Sequence, residues 1–510
     1  MSRHEYVMDV PYIRSFMDDL SPARLRLVAA LNGLVPPPAE DFDYCDLGSG
    51  HGDTTVTLAA AYPRARFFGV DLNPEHVGTA RESAKEGGLD NVSFVEHDFT
   101  DLAGQGLPSF DYICTHGVLS WIAPETRAAL LTVAAAKLKP GGLLYVGYNA
   151  LPGWAVIEPL RRLLSERAAA AEGDSRARAR AAVQFARELA AAGSRYFTRN
   201  QPAMDMLATM DKSGLTYVVH EFLHDHWIPM YFADLAREMA ERDLHFVGQL
   251  PAYLSSRELG VPPGVAELLK GVGDRDTYES LTGYATNQFF RRDVYVKGRQ
   301  ACAGASTQAY LDATPFASLA GVVARTVNLA FHSIDFVGDL FDALLPILEE
   351  GAAPLSELAA RPELARYGVQ RLRNALHRLV VSGQLSPLLR PTATAPPHHG
   401  PYRVPLAYNR AVFHRPFASA APFAFASPVA GTGIVLSPLQ VAALRVLTEG
   451  RQADRPDRIR ALAEEAALAL GGQDHAGVEP LTEASVAREV ERMRREQLGK
   501  LVELGIVVPE

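Results

Sequence analysis

Close to its start the chain runs Tyr44-Cys45-Asp46-Leu47-Gly48-Ser49-Gly50-His51-Gly52 and then, after a helical stretch, Phe67-Phe68-Gly69-Val70-Asp71. An apolar run breaks into three alternate glycines, and a second apolar run ends on a carboxylate 25 residues after Asp46. This reads as a strand, a turn opening a helix, and a second strand, the arrangement that presents backbone N–H groups and a carboxylate to a nucleotide-like ligand. The following runs keep the rhythm. Val92 to Glu96 alternates like a strand and leads into His97-Asp98-Phe99, Phe110 to Thr115 is a fourth strand, and Leu143 to Asn149 a fifth after a Lys139-Pro140-Gly141-Gly142 turn.

The glycine spacing narrows the ligand. Dinucleotide loops carry a third glycine that lets the helix start under a pyrophosphate. Here Asp53-Thr54-Thr55 follow Gly52 instead. S-adenosylmethionine fits better, because it has no pyrophosphate and offers a ribose, an adenine, an amino-acid tail and a sulfonium. The expected cofactor contacts are Asp46, Gly48, Ser49, Gly50, Asp71, Leu72, Asp98 and Phe99, with Tyr6 as an aromatic cover and His116 at a strand end. An isolated G-x-G is common in turns, and it is the ordered company of Asp71, Asp98 and Lys-Pro-Gly-Gly that gives it meaning.

The motif order resembles class I S-adenosylmethionine-dependent methyltransferases. Tyr6 to Tyr12 (YVMDVPY), His116 to Trp121 (HGVLSW), Tyr148 to Trp154 (YNALPGW) and His220 to Phe232 (HEFLHDHWIPMYF) resemble the subgroup that carries a methyltransferase regulatory domain. Its known members include bacterial protein-lysine methyltransferases of outer-membrane proteins. The resemblance implies an α/β, Rossmann-like seven-stranded sheet with a helical insertion, plus a mainly α winged-helix-like C-terminal domain. It implies an enzyme that N-methylates lysine side chains of a protein or peptide substrate. His116, Asn149 and Tyr12 are the candidates for the reaction centre, and Tyr148, Trp121, His220 and Glu221 for substrate contact. A small-molecule N- or O-methyltransferase and a non-catalytic cofactor-sensing scaffold are the competing readings. Trp121 and Trp154 also read simply as buried anchors of their loops.

The expected organisation is an N-terminal arm over residues 1–35, a cofactor-binding core over 36–157, a helical cap and regulatory region over 158–300 that completes the sheet, and a C-terminal domain over 301–510. The tract from Glu158 to Ala192 reads as two Ala-rich helices broken at Gly173-Asp174-Ser175, which stack on the sheet or form a lid or homodimer face. Leu244 to Gly248 and Phe289 to Lys297 supply the last two strands. Further on, Phe336 to Glu350, a helix capped by Ser356, Val369 to Val381 and a strand at Gly383-Gln384-Leu385 suggest a winged helix. Pro391 to Pro401 reads as a linker or a long wing loop, Pro416 to Pro428 as irregular chain packed on a neighbour, and Glu483 to Leu504 as one charged helix.

His220-Glu221-Phe222-Leu223-His224 spells H-E-x-x-H, which on one helix face binds zinc. Flanking Tyr217-Val218-Val219 and Trp227-Ile228-Pro229 argue against one long helix through it, so no metal is expected. The net charge of −9 over 510 residues disfavours nucleic acid despite Arg371, Arg373, His377 and Arg378 on one helix. Three cysteines and no apolar run of membrane-spanning length point to a cytoplasmic protein that is not inserted in a bilayer.

Overall fold

The computed structural model describes residues 9–510 except 11, 105, 393–400, 418, 420, 449–454 and 471–480. Tyr6, and most of the expected linker at Pro391 to Pro401, therefore lie outside the described residues.

A helix, α1 (Pro22–Leu31), capped by Ser21, precedes an alternating series. It comprises β1 (Asp43–Leu47), α2 (Asp53–Ala61), β2 (Arg66–Asp71), α3 (Pro74–Glu86), β3 (Val92–Glu96), β4 (Phe110–His116), α4 (Pro124–Lys137) and β5 (Leu138–Asn149). Four cap helices follow: α5 (Glu158–Ala169), α6 (Ser175–Ala191), α7 (Arg195–Thr198) and α8 (Gln201–Phe222). Then come α9 (Phe232–Ala240), β6 (Leu244–Gln249), α10 (Pro263–Leu269), α11 (Arg275–Thr286) and β7 (Phe290–Lys297). The seven strands form one sheet in the order β3-β2-β1-β4-β5-β7-β6. All neighbours run parallel except at β7, which is antiparallel to β5 and to β6. The expected seven-stranded α/β sheet is present, with the cap inserted between β5 and α9. Lys139 to Gly142, expected as a turn, belongs to a long β5 that is irregular against β4 near its start.

The central strands are apolar on both faces because helices cover both. One cluster packs Leu144, Val146 and Tyr148 against α4 and α9. The other joins Tyr44, Phe67 and Tyr145 to α2 and to residues of the C-terminal half such as Phe425, Val441 and Ile506. The cap has its own core, in which Trp154 packs with Leu164, Val183 and Phe222.

A buried ionic network ties β5 to β7. Arg291 is 1% exposed, with Nη2 3.0 Å from Glu279 Oε2 and from Asp293 Oδ1. Tyr148 donates its hydroxyl to Asp293 Oδ2 at 2.8 Å. Both carboxylates are fully buried; Glu279 keeps a second cation, Arg275 at 3.0 Å, so Arg291→Met leaves Asp293 without its cation. Stranding a buried ion-pair partner costs ~3–5 kcal/mol, and the variant is expected to show a thermal midpoint several degrees lower.

In the C-terminal half, helices Asp339–Glu350, Leu355–Ala360 and Val369–Val381 form a core with Phe316 and Phe336. The three expected helices are there, with corrections at their edges. Ser356 lies inside the second helix, which starts after Pro354 without a side-chain cap. The strand is Ser386–Pro387, paired with Phe316–Ala317, rather than Gly383 to Leu385. Pro416 to Pro428 contains the strand Ala424–Ser427, paired with Thr432–Val435. The charged C-terminal helix is two, Glu483–Glu496 and Leu498–Glu503.

Candidate active site

Beyond the carboxyl ends of β1, β2 and β4 lies an open cleft. Gly48, Gly50, Asp71, Leu72, Asn73, His76 and Phe99 line one part, and His116, Gly117, Val118, Trp121, Ile122, His220, His224 and Tyr12 the other.

The glycine loop requires its composition. Gly48, Gly50 and Gly52 all have positive φ, at 89°, 54° and 74°. A Cβ at Gly48 would sit 2.3 Å from Val118 Cγ2, whereas one at Gly50 meets nothing within 4 Å and points into open space. The loop is tied to β2: Gly48 and Ser49 N–H donate to Val70 O, and Gly50 N–H donates to Asp71 Oδ2 at 2.8 Å. Gly48→Ala brings both a strained backbone, ~1–3 kcal/mol, and the clash with Val118. Calorimetry is expected to show lost ligand affinity together with a lower thermal midpoint.

Asp71 holds three groups. Its Oδ1 accepts from Asn73 N–H at 2.9 Å and faces His76 Nδ1 at 3.3 Å, and its Oδ2 takes Gly50 N–H. Asp46 is buried beneath the loop and accepts the Thr55 hydroxyl at 2.6 Å. Burial lifts its carboxyl to about 7, with Thr55 opposing and Asp71 adding to the rise. Asp98 accepts from Thr100 N–H and Oγ1. Ser49 Oγ is buried without a hydrogen-bond partner.

At the other end, His116 Nδ1 pairs with Tyr145 Oη at 2.9 Å, the rings stacked 5.9 Å apart. A Cβ on residue 147 would come within 2.7 Å of His116 Nδ1, so Gly147 makes room for that ring. Burial, with Arg292, lowers His116 to about 4, and burial, with His220 and Arg161, lowers His224 to about 3. These imidazoles are neutral near neutral pH. Because the folded pKa of His116 lies below the ordinary 6.5, the unfolded chain takes up its proton first as pH falls. The stability contributed above pH 6.5 is lost toward pH 4, so His116→Asn is expected to lose less thermal stability than wild type between pH 7 and pH 5.

The remaining candidates divide. Tyr12, 39% exposed, lines the cleft with its ring 4.9 Å from His220. Trp121 lies 5.3 Å from the His224 ring. Tyr148 is 0% exposed, does not line the cleft and spends its hydroxyl on Asp293. Asn149 is buried at the end of β5, its backbone N–H donating to Ser120 Oγ and its side-chain Nδ2 unpartnered. Glu221 is half-buried beside the lining residue His220.

A helix does reach the H-E-x-x-H segment, interrupted at Gly214 with φ 81°, but it ends at Phe222, so His224 lies beyond it. The two histidine rings are 5.9 Å apart, and among the described residues no group of three or more His, Cys, Asp or Glu is placed to hold a metal. Sequence reasoning missed Asn73, His76, Gly117, Val118, Ile122 and His224 as lining residues. Asn73-Pro74 carries a helix-start signal, with Asn73 accepting from Glu75 N–H, and it would have marked the turn after Asp71.

Residues 45–142 match the family described as Methyltransferase domain, and residues 215–297 the family described as Predicted methyltransferase regulatory domain. An uncharacterised protein of Synechocystis is 29% identical over 88% of this chain and 88% of its own length. An uncharacterised protein of Rickettsia prowazekii is 28% identical over 56% of this chain and 52% of its own. The solved structure of PKMT2 from Rickettsia typhi in complex with AdoHcy superposes with a TM-score of 0.73 at 21% identity, covering 97% of this chain and 100% of that one. Sheet order, glycine loop and matched domain together define a class I S-adenosylmethionine-dependent methyltransferase. Within that class the chain carries the methyltransferase regulatory domain, whose matched residues run from the end of α8 through β7 and so contribute the last two strands of the sheet.

Proposed function

We propose that this methyltransferase N-methylates lysine side chains of a protein substrate. The observation that carries the reading is that Tyr12, which lines the cleft and faces His220 of the cap, is exposed to solvent. A side chain tethered to a polypeptide can enter there without the polypeptide itself being enclosed. The fold shared along almost the whole chain with PKMT2 of Rickettsia typhi supports it.

In this reading Gly48, Ser49 and Gly50 receive the amino-acid tail of the cofactor, Asp71 the ribose hydroxyls, and Leu72, Asp98 and Phe99 the adenine. The open space over Gly50 is consistent with a ligand lying on that backbone. Asp46 supports the loop from below through Thr55. S-adenosylmethionine supplies an electrophilic methyl carbon on a sulfonium, which an amine lone pair takes as S-adenosylhomocysteine departs. The chain contributes alignment and exclusion of water. Neutral His116 and the free amide donor of Asn149 orient the acceptor, and Tyr12 walls the approach, its ring face favouring a cation.

Incubating fractionated lysate with methyl-labelled S-adenosylmethionine tests this. Label in protein, recovered as methyl-lysine after hydrolysis, is expected. Label confined to small molecules contradicts it and favours the biosynthetic alternative.

A further inference from the structure

The C-terminal turns of α8 after Gly214 present two faces. Val218, Val219 and Phe222 enter the cap core, and His220 lines the cleft. Tyr217, one turn before Glu221, packs against the cap core, and the charge of Glu221 bears on both Tyr217 and Tyr12. Glu221 is half-buried, and no described residue makes an ion pair or hydrogen bond with it. Burial alone lifts its carboxyl to about 7. A carboxylate kept partly out of water without a cation is costly, which marks a place where a cation from elsewhere is welcome. Two other half-buried carboxylates have partners: Asp19 has Arg292 at 3.2 Å, and Glu503 has Lys500.

Resting on the reading of the acceptor as a lysine, we propose that Glu221 is the residue that recognises it: the carboxylate receives the incoming ammonium between Tyr12 and Tyr217 and takes its proton. The balance is simple. One N–H bond of the ammonium breaks and one O–H bond forms on Glu221, and the freed nitrogen lone pair then bonds to the methyl carbon as the carbon–sulfur bond breaks toward sulfur. The product nitrogen is again a cation, and Glu221 returns its proton to solvent. Tyr12, with its ring edge-to-face on His220, leads the side chain from that carboxylate to the cleft. The amine must be neutral to react, and a carboxylate whose own proton affinity has been raised by burial is a competent acceptor for that proton.

The test uses the full-length protein and two fluorescein-labelled peptides that differ only in one residue, lysine or its uncharged isostere norleucine, with binding read by anisotropy in the absence of cofactor. Methyl transfer to the lysine peptide is read in parallel. Wild type is expected to bind the lysine peptide at least tenfold more tightly than the norleucine peptide. Glu221→Gln is expected to lose that preference and raise KM for the lysine peptide, with S-adenosylhomocysteine affinity unchanged as a check that the cleft is intact. Glu221→Asp is expected to recover part of the preference. If wild type discriminates and methylates while Glu221→Gln discriminates equally well, the assignment of Glu221 is overturned and the lysine reading stands. A wild-type protein that neither prefers nor methylates the lysine peptide overturns the lysine reading, and the inference with it.

Discussion

Asp71→Ala is expected to weaken binding of S-adenosylhomocysteine by at least ~100-fold, measured by calorimetry. Two effects act together. The carboxylate is proposed to accept the two ribose hydroxyls, and hydrogen bonds to a charged group contribute ~1.5–3 kcal/mol each. The same carboxylate holds Gly50 N–H at 2.8 Å and Asn73 N–H at 2.9 Å, so its loss also frees the glycine loop and the turn into α3. Each factor of ten is ~1.4 kcal/mol, and the ribose contacts alone reach the stated effect. Asp71 is only 14% exposed and holds both of these N–H groups, so a lower thermal midpoint is expected beside the lost affinity. An unchanged affinity contradicts the placement of the ribose at the end of β2.

A chain ending at residue 400 is expected to aggregate rather than to yield a folded enzyme. Eight consecutive residues of α2, Thr54 through Ala61, are buried. The sheet covers one side of this helix, and the paired strands Ala424–Ser427 and Thr432–Val435 pack on the other. Thr57 and Tyr408 share a hydrogen bond at 2.7 Å, and Asp18 of the arm bonds Thr432. Phe413, Phe423, Phe425, Leu436 and Val441 belong to the same apolar cluster as Tyr44 and Phe67. Five such side chains at ~2 kcal/mol each amount to ~10 kcal/mol, comparable with the whole stability of an ordinary domain. Low soluble yield, or dye binding to exposed apolar surface, is the expected result. A monomeric truncated chain with full cofactor affinity contradicts it. The C-terminal half, expected from sequence as a domain of its own, is thus packed directly on the helix that opens from the cofactor loop.

The sequence carried a readable trace of that contact. After Asp53, α2 reads Thr-Thr-Val-Thr-Leu-Ala-Ala-Ala with no charged residue, and a helix that lacks a polar face is covered all round. Its partner strand was harder to see, because Phe423-Ala424-Phe425-Ala426 sits among prolines that read as irregular chain. The sheet and the glycine loop were legible because apolar runs end on glycine or carboxylate at the tips of β1, β2 and β3. Which strand-end side chains face the cleft was not. In β5 both faces are buried, so alternation does not separate Tyr148, which turns to Asp293, from its neighbours. His224 was hidden in a pattern that suggests a metal, and only the end of α8 at Phe222 shows how the cleft uses it.

The central claim is that the glycine loop and Asp71 form the seat of a methyl donor. Titrating the full-length protein with S-adenosylmethionine and S-adenosylhomocysteine in a calorimeter tests it most directly. The account predicts saturable one-site binding of both, lost in Asp71→Ala. No heat with either, together with saturable binding of NADH or ATP, would contradict it.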